Sequence, residues 1–194
     1  MRRQLTLYLA SRSPRRRELL QQIGIEHQLL DIEVDESQLP NELPGDYVQR
    51  VAEDKARAGF EKIAMNEESL VLAADTSVVI NGQILGKPEN RDQGIWMLNQ
   101  LSDSTHEVYS AVTLSTPSLE TLVSVSSVTF RNLSDREMSD YWETGEPADK
   151  AGSYAIQGLG AQFIARLEGS YSGVMGLPLF ETAELLGRVG IKIV

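Results

Sequence analysis

The segment Ser11-x-Ser13-Pro14-Arg15-Arg16 brings two hydroxyls and two guanidiniums to a point where a strand hands over to a helix. Free backbone N–H groups and the helix dipole make such a point an anion site. The arginines add charge-assisted donors suited to phosphate oxygens. The spacing is not that of a Walker loop, and the chain holds no G-x-x-x-x-G-K. The alternative is a well-capped helix with surface arginines. Asp75 is the odd residue in the apolar run Val71-Leu72-Ala73-Ala74-Asp75-Thr76. An unpaired buried carboxylate costs several kcal/mol, so a charge there requires a partner or a metal ion. Otherwise Asp75 is a strand-end aspartate capping a loop.

Asp31, Glu33, Asp35 and Glu36 cluster after the second expected strand. Carboxylates suit Mg²⁺ or Mn²⁺, although a solvated acidic loop has the same composition. Lys55, mid-helix, and Lys87, in Gly86-Lys87-Pro88, read on their own as surface lysines. The stretch from Asp149 to Gly158 packs glycines around polar side chains and reads as a ligand wall. His27 and His106 have no titratable partner at suggestive spacing and read as structural. No serine–histidine–acid arrangement is present. The parts suit metal-assisted attack of water on a phosphoanhydride: cations for phosphates, acids for metal, one acid as base. Spacing alone does not choose among phosphohydrolases.

These residues need elements to position them. Gln4 to Ala10 alternates as a strand, and Ser13 with Pro14 opens a helix over Arg15–Ile23. A strand is expected around His27–Val34, and a helix over 45–63 with Tyr47, Val48, Val51, Ala52, Ala56 and Phe60 on one face. Leu70–Ile80 is an apolar run interrupted at Ala74-Asp75-Thr76-Ser77, and Asn81-Gly82 turns it into Gln83-Ile84-Leu85. A helix over Arg91–Leu101 precedes antiparallel strands at 105–116 and 119–131, separated by Pro117-Ser118. Ser134 to Glu137 is a capping box for a helix to about Glu143, and Pro178–Leu186 is a last helix ended by Gly187. Without a strict βαβ rhythm, the pattern favours α/β with a mixed, bent sheet flanked by helices.

The 194 residues suit a single domain, 1–194, with 41% hydrophobic and 24% charged residues. The absence of cysteine excludes disulfides, a thiol nucleophile and thiolate zinc, and two histidines exclude a multi-histidine site. Apolar runs are far shorter than the roughly 20 residues that span a bilayer. Met1-Arg2-Arg3-Gln4 lacks the apolar core of a signal peptide, so a soluble, cytoplasmic protein with no membrane partner is expected. The net charge of −10 argues against a nucleic-acid polymer as partner. Residues 1–17 nevertheless hold six arginines (Arg2, Arg3, Arg12, Arg15, Arg16, Arg17) and no acid, which points to a small polyanion held locally.

Six segments in order resemble the Maf family: Ser11 to Leu20, Val34-Asp35-Glu36, Ala74-Asp75-Thr76, Gly86-Lys87-Pro88, Asp149-Lys150-Ala151-Gly152 and Gly176-Leu177-Pro178. The resemblance runs from residue 5 to about residue 186. It implies a Maf/ITPase-like mixed α/β fold of two lobes around a central cleft. It also implies a nucleoside triphosphate pyrophosphatase, a hydrolase that cuts between the α and β phosphates. A divalent cation (Mg²⁺ or Mn²⁺), a cytoplasmic location and a homodimer come with it. Asp75 is then the catalytic acid, as proton acceptor or through the metal, and Glu36 a metal ligand. Ser11, Ser13, Arg16, Lys55 and Lys87 would hold the triphosphate.

Family branches differ at three positions by the base, occupied here by Arg15, Thr76 and Gln157. The dTTP/UTP branch carries this set, whereas the 7-methyl-GTP branch carries Trp, Gln and Glu. A primary amide offers a donor and an acceptor to the O4 and N3–H edge of uracil or thymine. The resemblance therefore implies dTTP and UTP as substrates, with modified pyrimidine nucleotides beside them. The alternatives are 7-methyl-GTP or broad nucleotide hydrolysis, or a nucleotide-binding regulator of cell division. Met175 and Ser153 depart from the residues common at their positions.

Overall fold

In the computed structural model, which describes residues 5–63, 68–116 and 118–193, alternation at the start of the chain forms strand β1 (Thr6–Ala10). Arg2, Arg3 and Pro117 lie outside the described residues. Helix α1 (Pro14–Gln22) follows, with Ser13 at the N-cap position, Pro14 in its first turn, and Leu19 and Leu20 buried. The Ser13 side chain makes no capping bond; instead the Ser13 amide donates to Ser11 Oγ at 3.1 Å. Strand β2 is only Gln28–Leu30, shorter than the expected 27–34, because Asp31 and Glu33 beyond it turn to the Arg12 guanidinium.

Helix α2 (Pro44–Lys62) buries Val48, Val51, Ala52, Lys55, Ala56 and Gly59 on one face. Strand β3 (Ser69–Ile80) is continuous, not interrupted at 74–77, since Ala74 to Ser77 pair with a neighbouring strand, and all its residues except Thr76 are buried. Asn81 and Gly82, both at positive φ, turn β3 into β4 (Gln83–Leu85), as Asn-Gly does in two-residue hairpins. Helix α3 (Arg91–Leu101) is followed by the hairpin strands β5 (Thr105–Ser115) and β6 (Leu119–Phe130). Helix α4 (Asp135–Glu143) opens on the Ser134–Glu137 capping box. Short helical turns lead to β7 (Ile164–Glu168), the short helix α5 (Tyr171–Met175) and α6 (Leu179–Arg188). The last helix passes through Gly187 instead of stopping there, with Arg188 in its final turn.

The described residues form a seven-stranded mixed sheet in the order β2-β1-β3-β5-β6-β7, with β4 also on β3. The strands β1, β2 and β3 run parallel, and the remaining pairs are antiparallel. On one side of β3, pairing with β1 ends at Ala73 and pairing with β4 begins at Val78. Between them, Ala74 to Ser77 have a partner strand only on the β5 side, among the described residues. One apolar core gathers Leu9, Leu20, Leu72, Leu114 and Leu185 at the β1 end; another gathers Val78, Leu98, Val108, Phe130 and Phe163 at the β4 end. Both draw on β3 and β5, and the half-buried Met175 touches both. The mixed sheet flanked by helices is as expected from the sequence, and the two cores correspond to the two lobes that the resemblance implies.

Neither histidine joins a candidate metal group, since no cluster of three or more such ligands occurs among the described residues. His106 is buried in the second core, edge-on to Phe130 and Tyr154, with Nε2 and the Tyr154 hydroxyl 2.8 Å apart. Burial lowers its pKa from 6.5 to about 4. A histidine held below its unfolded value contributes stability that is present above about 6.5 and is lost as the pH falls toward 4. This loss should amount to about 3 kcal/mol. Urea unfolding from pH 7 to pH 4 should show a weaker pH dependence in His106→Phe than in wild type; equal slopes would remove His106 from the account.

Candidate active site

The gap beside β3 opens a cleft of about 770 Å³ whose wall includes Ser11, Ser13, Arg16, Glu36, Lys55, Asp75, Thr76, Lys87 and Gln157. Successive strand residues point to opposite faces. Asp75 therefore faces α2, and Thr76 faces Ser110 and the α5–α6 turn.

The Asp75 side chain is 7% exposed and finds its required partner in Lys55, with Nζ 2.9 Å from Oδ1. Lys55 is no surface lysine. It follows Val51 by four residues and Ala52 by three, so it lies on the buried stripe of α2. Its ammonium also meets Glu36 Oε1 at 3.0 Å, so Lys55 holds both candidate metal ligands. Burial pushes the Asp75 carboxyl up, against the opposing pull of Lys55 and Arg16.

Glu36 sits on the loop after β2, and α2 holds that loop in place. The Tyr47 hydroxyl donates to the Glu36 carbonyl at 2.8 Å, while Arg50 donates to Glu42 at 2.6 and 2.9 Å and to the Ser37 carbonyl at 2.9 Å. Burial, with Asp75 and Glu36 adding to it, pushes the Tyr47 phenol up to about 12. The four clustered acids do not act together. Asp31 and Glu33 bind Arg12, and Asp35 accepts from the Ser37 amide, which leaves Glu36 to join Asp75 at Lys55.

Arg16 is fixed by Nε donating to the Gly176 carbonyl at 2.7 Å and Nη1 to Ser11 Oγ at 3.4 Å. Gly176 has φ 124°, where a side chain would be strained. Burial lowers the Arg16 pKa, with Asp75 opposing, and a guanidinium keeps its charge regardless. Lys87 lies exposed on the wall after β4. Arg15 Nη1 lies 3.9 Å from Asp149 Oδ2. Gln157 is exposed on the glycine-rich wall read from the sequence. That wall is tied down by Glu146, which accepts from the Leu159 and Gly160 amides at 3.0 Å each and from Tyr141 at 2.7 Å. Gly158 leaves room for this carboxylate, since a Cβ there would lie 2.1 Å from Glu146 Oε2. Ser153 is buried at positive φ with its hydroxyl unpartnered among the described residues. The sequence reading missed Tyr47, although it sits on the expected apolar face of α2, and it missed Ser110, which no motif marks.

Two carboxylates, hydroxyls and cations thus line one cleft, with the acid Asp75 buried in its wall. The chain belongs to the Maf-like protein family, whose model matches residues 6–189. It is 50% identical over 187 residues to the dTTP/UTP pyrophosphatase of Pseudoalteromonas atlantica, covering 95% of this chain and 97% of that protein. It is 52% identical over 189 residues to the dTTP/UTP pyrophosphatase of Saccharophagus degradans, covering 96% and 90%. A solved nucleoside-triphosphatase / dITP/XTP pyrophosphatase from Mycobacterium abscessus aligns with 95% of each chain at a TM-score of 0.44 and 16% identity, too distant to carry an argument.

Breaking a buried pair by removing one partner leaves an uncompensated charge, which costs about 3–5 kcal/mol. Lys55→Met should lose about that much in urea unfolding at pH 8. The loss should shrink as the pH is lowered, because the stranded Asp75 carboxyl, already pushed up by burial, can then take up a proton. A pH-independent loss would mean that the Asp75 charge is not what Lys55 compensates.

Proposed function

We propose that this protein is a nucleoside triphosphate pyrophosphatase that hydrolyses dTTP and UTP to the monophosphate and pyrophosphate. The observation that carries the reading is the buried Asp75 carboxylate, with its raised pKa, inside a cleft lined by Ser11, Ser13, Arg16 and Lys87. The relatives that cover nearly the whole chain at about half identity support it.

The donor set fits a hard divalent cation. Asp75 and Glu36 oxygens already converge on one positive charge, the Lys55 ammonium. Mg²⁺ is characteristically bound by one or two carboxylates together with substrate phosphates and water. When bound, Mg²⁺ or Mn²⁺ held by Asp75 and Glu36 would neutralise phosphate charge and acidify water.

The chain's own residues do the rest. Arg16 and the Ser11 and Ser13 hydroxyls, with Lys55 and Lys87, donate to phosphate oxygens and stabilise charge on the leaving pyrophosphate. Water adds across the α–β phosphoanhydride, its oxygen bonding to phosphorus as the bridging P–O bond breaks. Asp75, buried on the cleft wall beside Lys55, takes its proton. Arg15, Thr76 and Gln157 read the base. Residues 1–194 act as one domain, because both cores share β3 and β5. A cytoplasmic, homodimeric enzyme without a nucleic-acid or membrane partner belongs to the same reading. Among the described residues no helix is long and apolar enough to cross a membrane.

Pyrophosphate release is to be measured on dTTP, UTP, CTP, GTP and 7-methyl-GTP, with Mg²⁺ or Mn²⁺ and with chelator. Metal-dependent release from dTTP and UTP is expected. Asp75→Asn should lose at least about a hundredfold in turnover while still binding nucleotide; undiminished turnover in that variant would sink the assignment. Gln157→Glu should weaken use of dTTP and UTP, and equal activity on both after the change would remove Gln157 from base selection.

A further inference from the structure

Ser110 lies on β5 directly opposite Thr76 in the strand register and is 1% exposed. It is absent from the cleft wall, yet its hydroxyl joins two groups that shape it. Ser110 Oγ donates to the Gly173 carbonyl at 2.6 Å and lies 3.0 Å from Thr76 Oγ1. A hydroxyl has one proton. A carbonyl can only accept, so the Ser110 proton is committed to Gly173. The bond between the two hydroxyls is then made by the Thr76 proton. The other acceptor within reach of Thr76, the Gly176 carbonyl at 3.4 Å, also lies on the protein side and is already served by Arg16 at 2.7 Å. The shorter contact, to Ser110, therefore holds the Thr76 proton inward, and the Gly176 carbonyl is too long a contact and too fully engaged to hold it alone. What the half-buried Thr76 hydroxyl turns to the cleft is its lone pairs.

We propose that Ser110 is a positioning residue that fixes Thr76 as a hydrogen-bond acceptor toward the cleft, so that the base read there must offer a donor. The proposal rests on the pyrimidine triphosphatase reading above and supplies a physical basis for its selectivity. Uracil and thymine present an N–H at ring position 3, whereas cytosine presents a bare nitrogen, an acceptor that would face the lone pairs of Thr76; with that one proton accepted by Thr76, the Gln157 amide is left to donate to O4. A site built to pair with one polar group rejects the base that leaves it unpaired. In this arrangement Thr76 selects by the direction of its proton, and that direction is set from a residue outside the cleft wall.

The test is the ratio of kcat/KM for UTP to that for CTP in wild type, Ser110→Ala, Thr76→Val and the double variant, with thermal unfolding to verify the fold. Ser110→Ala frees the Thr76 proton to turn toward the cleft, so the ratio should fall about five- to tenfold, the span of one neutral hydrogen bond. Thr76→Val should lower it comparably, and the double variant should fall no further than Thr76→Val alone. A ratio within twofold of wild type in Ser110→Ala would overturn the proposal, as would additive losses in the double variant. A general loss of activity with an unchanged ratio would assign Ser110 a merely structural role and would likewise overturn it. If Ser110→Ala does not fold, Ser110→Cys, a much weaker donor and acceptor, is read by the same ratio. Should wild type release no pyrophosphate from UTP, the underlying activity itself would fail, an outcome distinct from an insensitive ratio.

Discussion

The site is built on four residues of β3, Ala74 to Ser77, that among the described residues have a strand partner on one side only. Between Ala73, where β1 leaves, and Val78, where β4 arrives, the central strand keeps its ladder with β5 but has an open flank. Backbone polar groups must be satisfied wherever they are buried, and here the flank faces a cleft instead of another strand. Asp75 and Thr76 lie in that interval with their side chains on opposite faces, so one short stretch presents an acid and a hydroxyl to a single cavity. The two apolar cores on either side brace the strand at both ends.

The second organising fact is how charge is held. Asp75 and Lys55 are both removed from water, and each is tolerable because of the other. Glu36 reaches the same ammonium from a loop that α2 holds through Tyr47 and Arg50. Arg16 is anchored through a backbone carbonyl and a serine hydroxyl, and among the described residues no carboxylate is bonded to it directly. Arg12, three residues before Arg15, is occupied by Asp31 and Glu33 instead. Neighbouring arginines in one motif therefore do different work, according to what the folded chain places against each.

Much of this was legible in the sequence. Periodicity located most helices and strands, because each buries one face and so repeats at its own period. Asp75 stood out as a charge in an apolar run, and the motif order pointed to the family. What could not be read depended on non-local contacts. The interval at 74–77 reads as a break because nothing local in the sequence shows that β5 lies beside its polar residues. Lys55 looked exposed because a lysine is exposed by default, although its place on the apolar stripe of α2 carried the signal. The acidic cluster looked like one unit, whereas Arg12 and Lys55 divide it from opposite sides. Ser110 had no local signature at all, since its significance comes from strand register.

The strands β3 and β5 run unbroken through both lobes, joined by a ladder from Val71–Ser115 to Val79–Glu107. Swinging one lobe against the other would shear that ladder and expose its amides. The cleft is thus closer to a fixed mould than to a jaw. In such a site, the shape that recognises a ligand is built during folding and stands ready before the encounter.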